Sequence, residues 1–371
     1  MKKLGFGCMR LPVKSDGSID MDVLNRMVDA FIEKGFTYFD TSYVYHNGSS
    51  EKVLKEALVK RYPRDSFTIT TKSPVFMIES RQQFFDIFRE QLDRLGTDHV
   101  DYYWLHAINR NEYVKVQKYD LVSALKKLKE EGRTKHIGMS YHDSPELLDR
   151  ILTDHPELEF VQLQLNYFDW DSPFVASKEN YEVCRKHGKP VVVMEPVKGG
   201  NLAALPSDIE AEMKAAAPEK SIASWGIRFA ASLDNVYMVL SGMSDEAQMN
   251  DNLSYMENFE PLSDKEQAVI REVQKKLRAS MPYRPDDFKK AEEVCPKKIG
   301  IVRIVQMLNE RKAVVNDGKI INTPIYYDIF LDGYGKAADC DNCGKCRGMA
   351  KGVDIPRILE EADVRLRNWQ S

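Results

Sequence analysis

The sequence predicts an α/β protein in which a (β/α)8 barrel of the TIM type is followed by a smaller, mostly α-helical domain. Short apolar segments alternate with amphipathic ones, and eight such strand candidates fall within about 250 residues, as in a (β/α)8 barrel. No G-x-G-x-x-G segment occurs, which argues against a doubly wound sheet, the main alternative. Four of the six cysteines fall in the last quarter of the chain, which indicates a second, metal-bearing domain.

Each predicted strand is short, rich in β-branched or aromatic residues, and bounded by Gly, Pro or polar residues. The segments are Leu4–Gly7, Tyr38–Asp40, Thr68–Lys72, Val100–Leu105, His136–Ser140, Val161–Leu165, Val191–Glu195 and Tyr237–Ser241. Between them, apolar residues recur at helical spacing over 22–34, 81–95 and 121–131, and a glycine follows each stretch as a stop signal.

The pattern changes near Pro261. Residues 263–278 predict one helix, and after Pro282 the chain reads as helix, loop and cysteine motif without a convincing strand series. We therefore predict a barrel over residues 1–260 and an α-helical iron–sulfur domain over residues 261–371.

Composition excludes several function classes. Lys plus Arg total 53 and Asp plus Glu total 57, so the net charge of −4 argues against a nucleic-acid partner. No run of eighteen apolar residues is present, which predicts no membrane-spanning helix. The first residues lack the apolar stretch of a secretory signal, and together with six cysteines this predicts a cytoplasmic protein.

The clustered cysteines predict an iron–sulfur site. Cys340, Cys343 and Cys346 form a C-x2-C-x2-C triplet, and Cys295-Pro296 has the C-P form of the distal cysteine in two-cluster ferredoxins. Together they supply four thiolates for one 4Fe-4S cluster. Structural zinc, or cysteines without any ligand, remain the alternatives. The isolated Cys8 and Cys184 are predicted to be buried, small apolar side chains.

A weak internal repeat supports a single cluster. The residues of the first copy recur in the second at a constant offset of 54 positions; they are Lys297, Ile301, Arg303 and Ile304, then Lys351, Ile355, Arg357 and Ile358. Under this offset one copy keeps the three close cysteines and the other keeps only the distal one. All four positions of a second cluster are vacant, so we expect one cluster and not two.

Four polar residues fall where barrel strands should end. Asp40 closes the second strand, Lys72 closes the third, His106 follows the fourth, and Tyr45 lies in the loop after Asp40. The carboxyl ends of barrel strands form the active face.

We expect Lys72, held by Asp40, to lower the pKa of Tyr45, the general acid. His106 would orient a carbonyl oxygen, and a cofactor must supply the hydride because no side chain can. Tyr43, in the same loop, is an alternative to Tyr45.

These residues resemble the aldo-keto reductase family. Asp40-Thr41-Ser42-Tyr43-Val44-Tyr45, followed by Ser50-Glu51, is similar to the D-T-A-x-x-Y…S-E pattern and selects Tyr45 over Tyr43. Lys72 and His106 match the other two members of the family's catalytic tetrad. Four further segments resemble family motifs in the right order; they are Ile137–Ser140, Gln162–Asn166, Glu195–Gly200 and Ser241–Ser244 with Gln248 and Asn252. The tail resembles the branch that carries a C-terminal ferredoxin-like domain of α-helical type.

The resemblance implies a nicotinamide dinucleotide at the barrel mouth. It implies that Ser140, Tyr141 and Gln162 lie near the nicotinamide. It also implies a set of residues near the adenosine phosphate end, namely Gly242, Ser244, Gln248 and Asn252. The stretch Ser244-Asp245-Glu246 lacks the cation that suits a 2′-phosphate, so both NADP(H) and NAD(H) stay open.

The expected function is an NAD(P)-dependent oxidoreductase. It would reduce a small-molecule carbonyl, or oxidise an alcohol, and carry one 4Fe-4S cluster. Two alternatives come from other classes. One is a cofactor-sensing binding module, and the other is an electron-transfer protein that couples the cluster to a redox partner protein. The cluster could also serve only to staple the tail.

Overall fold

The structure is a computed structural model and describes residues 2–313 and 323–367. It divides the chain into two compact units. The barrel unit comprises Met1–Ser172, Ala176–Pro196 and Ser224–Ser263, and the C-terminal unit comprises Pro173–Val175, Val197–Ala223 and Asp264–Ser371. The C-terminal unit thus includes two segments that lie inside the predicted range of the barrel domain.

Within the described residues, eight parallel strands close into a barrel in the order of the sequence. They are β1 Leu4–Gly7, β2 Tyr38–Asp40, β3 Thr68–Ser73, β4 Val100–Ile108, β5 Thr134–Tyr141, β6 Phe160–Gln164, β7 Val191–Met194 and β8 Val236–Ser241. Gly5 of β1 pairs with Tyr38 of β2 on one side and with Leu240 of β8 on the other, which completes the ring. The predicted barrel is confirmed.

Helices follow the strands around the barrel and make up most of the C-terminal unit. Their bounds are α1 Met21–Glu33, α2 Ser50–Leu54, α3 Arg81–Leu95, α4 Arg110–Lys118, α5 Leu121–Glu130, α6 Pro145–Asp154, α7 Ser177–Lys186, α8 Ser207–Ala216, α9 Ile222–Ala231, α10 Glu246–Met256, α11 Asp264–Ala279, α12 Lys289–Glu293, α13 Ile301–Lys312, α14 Thr323–Phe330 and α15 Ile355–Arg367. None of the described helices is both long enough and apolar enough to cross a bilayer.

Local sequence signals account for the helix ends. The Asp20 side chain accepts the N–H groups of Asp22 and Val23 at the start of α1, as an N-cap does. Gly96 adopts a left-handed φ of 70° directly after α3, the conformation that glycine tolerates best. The predicted helices over 22–34, 81–95 and 121–131 therefore agree with α1, α3 and α5 to within one residue at each end.

Five strands end differently from the prediction: β3, β5, β6 and β7 differ by one residue, and β4 differs by three. β7 stops at Met194 because Glu195 has a left-handed φ of 57°, which is incompatible with an extended strand. β4 runs past Leu105 to Ile108, with a register shift against β5 and a left-handed φ of 58° at Ala107. His106 therefore lies inside a strand at an irregularity, and the expectation that it follows the strand is wrong.

Large side chains fill the interior of the barrel near the amino ends of the strands. The cluster consists of Tyr38, Tyr102, Trp104, Phe160, Val192, Met238 and Leu240. Gly138 of β5 makes room for it, because a Cβ atom there would lie 2.6 Å from the Trp104 ring and 2.4 Å from the Phe160 carbonyl oxygen. The opposite end, where the strands have their carboxyl ends, is the end that forms the active face of such barrels.

In the C-terminal unit, α13 and α15 begin at Ile301 and Ile355, which are equivalent positions of the internal repeat. These two residues and their repeat partners Ile304 and Ile358 are all buried in one core. The repeat therefore corresponds to a pair of helices that pack against each other.

Candidate active site

Lys72 is the centre of the candidate site. Its ammonium is fully buried, donates to Asp40 Oδ1 at 2.5 Å and to the Thr41 carbonyl oxygen at 2.8 Å, and lies 3.4 Å from the Tyr45 hydroxyl. Burial lowers the pKa of Lys72, but Asp40 and Tyr45 more than offset that effect, so the net shift is upward. Lys72 therefore stays charged, with one partner for each of its three N–H bonds.

Tyr45 differs from the expectation in one respect. Burial raises the pKa of its phenol, Lys72 opposes the rise, and Asp40 adds to it, so the pKa lies above the ordinary value. Lys72 does lower the pKa of Tyr45, as predicted, but the net shift is upward, because desolvation of the phenolate outweighs the attraction of one ammonium that Asp40 already neutralises. Tyr45 is thus a protonated phenol at neutral pH, which is the form that a general acid requires.

His106 completes the group of four residues. Its ring lies edge-on to the Tyr45 ring, with 5.8 Å between the ring centroids. Burial, then Lys72 and His142, hold the pKa of His106 well below its ordinary value, so the imidazole is neutral at pH 7. The centroid of the Phe76 ring lies 6.1 Å from that of His106, and Phe76 is 40% exposed, so it adds an apolar surface to the site.

A second buried network lies behind Lys72. The Gln91 side chain of α3 donates to Glu51 at 2.8 Å, to Thr71 at 3.0 Å and to the Lys72 carbonyl oxygen at 3.0 Å. Arg94 lies 3.5 Å from the Glu51 carboxylate. Burial raises the pKa of Glu51 to about 7, although hydrogen bonds from its neighbours oppose the rise.

The residues expected near the nicotinamide also have defined partners. Ser140 accepts the Ala107 N–H at 2.7 Å, and the Tyr141 hydroxyl donates to the Ser144 carbonyl oxygen at 2.6 Å. A hydrogen bond from Gln162 opposes the rise that burial causes in the pKa of Asp40, so Gln162 lies at the same end of the barrel as the four residues.

The loop expected at the adenosine phosphate end is organised by its own side chains. Asp245 accepts the Gln248 N–H at 2.8 Å as the N-cap of α10, and the Gln248 side chain accepts the Ser244 N–H at 2.9 Å. Asn252 is buried and donates to the Ser241 hydroxyl at 2.7 Å, so it braces the loop that Gly242 begins.

The cysteines divide as the sequence indicates. Cys295, Cys340, Cys343 and Cys346 line one small pocket of the C-terminal unit, whereas Cys8 and Cys184 are fully buried elsewhere. As the side chains stand, no three His, Cys, Asp or Glu residues of the described ranges form a metal site.

Several residues near the site carry no local sequence signal. Gln91, Arg94 and Phe76 belong to helices or turns whose pattern reads as ordinary packing, and only the tertiary structure brings them to the site. Ser42 lies 3.1 Å from the His106 ring, and its signal was available, since it stands where the resembling pattern has Ala.

A sequence profile of the Aldo/keto reductase family matches residues 3–275. The chain therefore belongs to the aldo/keto reductase family. Family and fold together indicate an NAD(P)H-dependent oxidoreductase.

Individual relatives agree with this assignment. A probable aldo-keto reductase 1 from Glycine max is 32% identical over 209 residues, and the match covers 54% of this chain but only 57% of that protein. An aldo-keto reductase from Mycolicibacterium vanbaalenii is 30% identical over 274 residues, which cover 72% of this chain and 87% of the relative.

Solved structures show the same fold at lower identity. An aldo-keto reductase from Bacillus halodurans in its holo form has a TM-score of 0.60 at 24% identity, and the match covers 73% of this chain and 91% of that one. An aldo-keto reductase from Klebsiella pneumoniae in complex with NADPH has a TM-score of 0.60 at 20% identity, with 73% and 90% covered.

The raised pKa of Glu51 predicts a specific pH dependence of stability. The folded-state pKa of about 7 exceeds the ordinary 4.5, so the folded protein binds this proton more tightly than the unfolded chain. The resulting stabilisation of the folded protein is complete at a pH below the ordinary pKa of 4.5, and it is lost as the pH rises through 7. Relative to Glu51→Gln, the free energy of unfolding of the wild type should fall by about 2 to 3 kcal/mol between pH 5 and pH 8.

Urea denaturation at both pH values measures this difference. Glu90→Gln is the matched control, because hydrogen bonds from Tyr43 and Arg94 outweigh burial and lower the pKa of this outer carboxyl. The Glu90 carboxyl is therefore ionised in both the folded and the unfolded protein above pH 5. The difference in free energy of unfolding between Glu90→Gln and the wild type should not change with pH. A constant difference for Glu51→Gln would contradict the buried, high-pKa carboxyl.

Proposed function

We propose that this protein reduces a carbonyl group to an alcohol, or runs the reverse reaction, with Tyr45 as the proton donor or acceptor. The observation that carries the proposal is the buried Lys72 ammonium, which contacts the Asp40 carboxylate and the Tyr45 hydroxyl together. Such an arrangement has no use in packing, because burying a charge in a barrel core is costly. It has a use where a phenol must lose a proton during a reaction.

The protein residues account for the proton half of the reaction. As the carbonyl oxygen gains negative charge, Tyr45 transfers its proton to that oxygen, and the phenolate that remains is stabilised by Lys72. Asp40 keeps Lys72 in place and charged. His106 is neutral and hydrogen-bonds the carbonyl oxygen, which fixes its orientation. In the oxidation direction, the same proton returns from the alcohol to Tyr45.

The site fits a nicotinamide dinucleotide, which supplies or accepts the hydride when it is bound. Ser140 lies near the end of β5, Gln162 lies within the neighbouring strand β6, and Asn166 follows β6 by two residues. All three are buried polar residues. Asn166 is held rigidly, since its side chain donates to Asp169 at 2.8 Å and to the Glu195 carbonyl oxygen at 3.0 Å. Buried amide and hydroxyl groups of this kind suit the carboxamide of a nicotinamide ring.

Tyr45→Phe tests the proposed reaction. The variant should lose at least about a hundredfold in kcat with simple aldehydes, because the proton donor is absent. Cofactor affinity, measured by quenching of protein fluorescence, should remain unchanged, since the phenyl ring keeps the shape of the site. Tyr43→Phe is the matched control and should retain turnover. Equal turnover in wild type and Tyr45→Phe would refute the assignment.

Between the two nicotinamide cofactors, we propose a preference for NAD(H). By family resemblance the 2′-phosphate of NADP(H) would approach the loop before α10, where Asp245 already caps the helix with a carboxylate. Glu246 is adjacent, and it engages both side-chain nitrogens that Arg26 directs to it, at 3.0 and 2.8 Å. A phosphate dianion there would meet two carboxylates and a cation that is already paired.

Substitution of Asp245 should change this preference. Asp245→Asn keeps a good N-cap but removes the charge, and Asp245→Arg adds a phosphate ligand. We expect kcat/KM with NADPH, relative to NADH, to rise in the first variant and to rise by about tenfold or more in the second. Steady-state kinetics with both cofactors measures the ratio. A wild type that prefers NADPH, with no change in either variant, would contradict this interpretation.

We further propose that the C-terminal unit carries one 4Fe-4S cluster, held by Cys295, Cys340, Cys343 and Cys346. Their convergence on one pocket supports this, because a thiolate set of this size matches the cluster's four irons. A parallel bridge between Ile299 and Gly335 draws the two cysteine segments together, with hydrogen bonds of 2.8 and 3.0 Å. The predicted ferredoxin-like nature of this domain remains part of the proposal.

The loop around the triplet is shaped for wrapping a ligand. Asn342 and Gly344 adopt left-handed φ values of 55° and 78°, and Asp341 accepts the Cys343 N–H at 3.2 Å. The four cysteines differ in burial, since Cys346 is buried in the core and Cys343 is exposed. A cluster in this pocket would therefore have one corner at the surface, which suits contact with a redox partner protein.

Anaerobic purification followed by counts of iron and sulfide tests the cluster. We expect about four of each per chain. Cys346→Ser should lose most of the iron, whereas Cys184→Ser removes a buried cysteine outside the set and should keep it. One zinc per chain without sulfide, or no metal at all, would contradict the proposal.

The cytoplasmic location stays a prediction that fits a protein with reduced thiols.

A further inference from the structure

His106 can serve a carbonyl oxygen only in one of its two neutral forms. A neutral imidazole carries a single N–H, on Nδ1 or on Nε2, and the hydrogen bond made by one nitrogen determines the state of the other. His106 is neutral at pH 7, because burial and the nearby Lys72 hold its pKa well below the ordinary range. The choice between the two forms therefore matters for the proposed reaction.

Ser42 contacts one of the two ring nitrogens. Its Oγ lies 3.1 Å from His106 Nδ1, and the serine is completely buried. Nε2 makes no hydrogen bond to any residue that the structure describes. The rings of Tyr45 and Phe76 are neighbours of the imidazole, with centroids 5.8 and 6.1 Å away, and they offer Nε2 no hydrogen bond. Nε2 is therefore the ring nitrogen left for a substrate.

We propose that Ser42 is a positioning residue that donates its hydroxyl hydrogen to Nδ1 and so places the single imidazole proton on Nε2. The proposal rests on the proposed carbonyl reduction. With the proton on Nε2, His106 can donate to the carbonyl oxygen. With the proton on Nδ1, the Nε2 lone pair would face that oxygen and repel it.

The surrounding backbone holds the imidazole where Ser42 can reach it. Directly after His106, the Ala107 N–H donates to Ser140 Oγ at 2.7 Å, which fixes the irregular turn within β4. Ser42 itself follows Asp40 and Thr41, the two residues that bind Lys72. The segment that holds the lysine therefore also orients the histidine.

Nuclear magnetic resonance of ¹⁵N-histidine-labelled protein reports the position of the proton directly. Comparison with His106→Gln assigns the signal. In the wild type we expect a protonated Nε2 and an unprotonated Nδ1 for His106. In Ser42→Ala, which introduces the residue of the resembling family pattern and should fold, we expect a mixture of both forms. The variant's kcat/KM with an aldehyde should fall about fivefold, the equivalent of one ordinary hydrogen bond.

Ser50→Ala is the matched control. It removes another buried hydroxyl of the same segment, one that contacts Thr41 Oγ1 at 2.8 Å and not His106, so the ring proton should stay on Nε2. A wild-type proton on Nδ1, or an unchanged Nε2 proton in Ser42→Ala, would overturn the proposal. The spectra require no turnover, so active Tyr45→Phe enzyme would refute the proposed function without altering this result.

Discussion

The buried ion pair between Lys72 and Asp40 is the constraint on which the rest of the site depends. A charge inside a barrel costs several kcal/mol unless it is fully paired, and breaking such a pair is strongly destabilising. Lys72 meets this requirement with the Asp40 carboxylate, the Thr41 carbonyl oxygen and the Tyr45 hydroxyl. Because these partners come from β2 and the loop after it, the pairing of β2 with β3 and the position of Tyr45 are fixed together.

Desolvation sets the character of the site more strongly than any single charge does. It raises the pKa of Tyr45 despite the adjacent ammonium, and it lowers that of His106. Both groups are therefore uncharged at neutral pH, Tyr45 as a protonated phenol and His106 as a neutral imidazole. The same burial leaves Glu51 with a pKa of about 7, which makes the support behind Lys72 sensitive to pH. Burial thus sets the protonation states of the candidate catalytic groups and of the carboxyl behind them.

The C-terminal unit follows a different principle. Its core includes a pair of helices with equivalent starting positions, Ile301 and Ile355. Its cysteine pocket is lined by loop residues and by the first turns of those two helices. A short bridge between Ile299 and Gly335, and not a sheet, brings the distant Cys295 to the triplet. Small domains with little regular structure between their helices commonly use a bound metal for additional stability. The proposed cluster would serve that purpose whether or not it also transfers electrons.

The sequence by itself determined the eight-stranded barrel and the ends of α1, α3 and α5, and it selected Asp40, Tyr45, Lys72 and His106 as candidate site residues. It could do so because hydrophobic period, capping residues and strand ends are local properties of the chain. Only the tertiary structure decided the irregularity within β4 at His106, the net direction of the shift in the pKa of Tyr45, and the support from Gln91. Each of these depends on burial and on contacts between residues far apart in the chain, which no local pattern records.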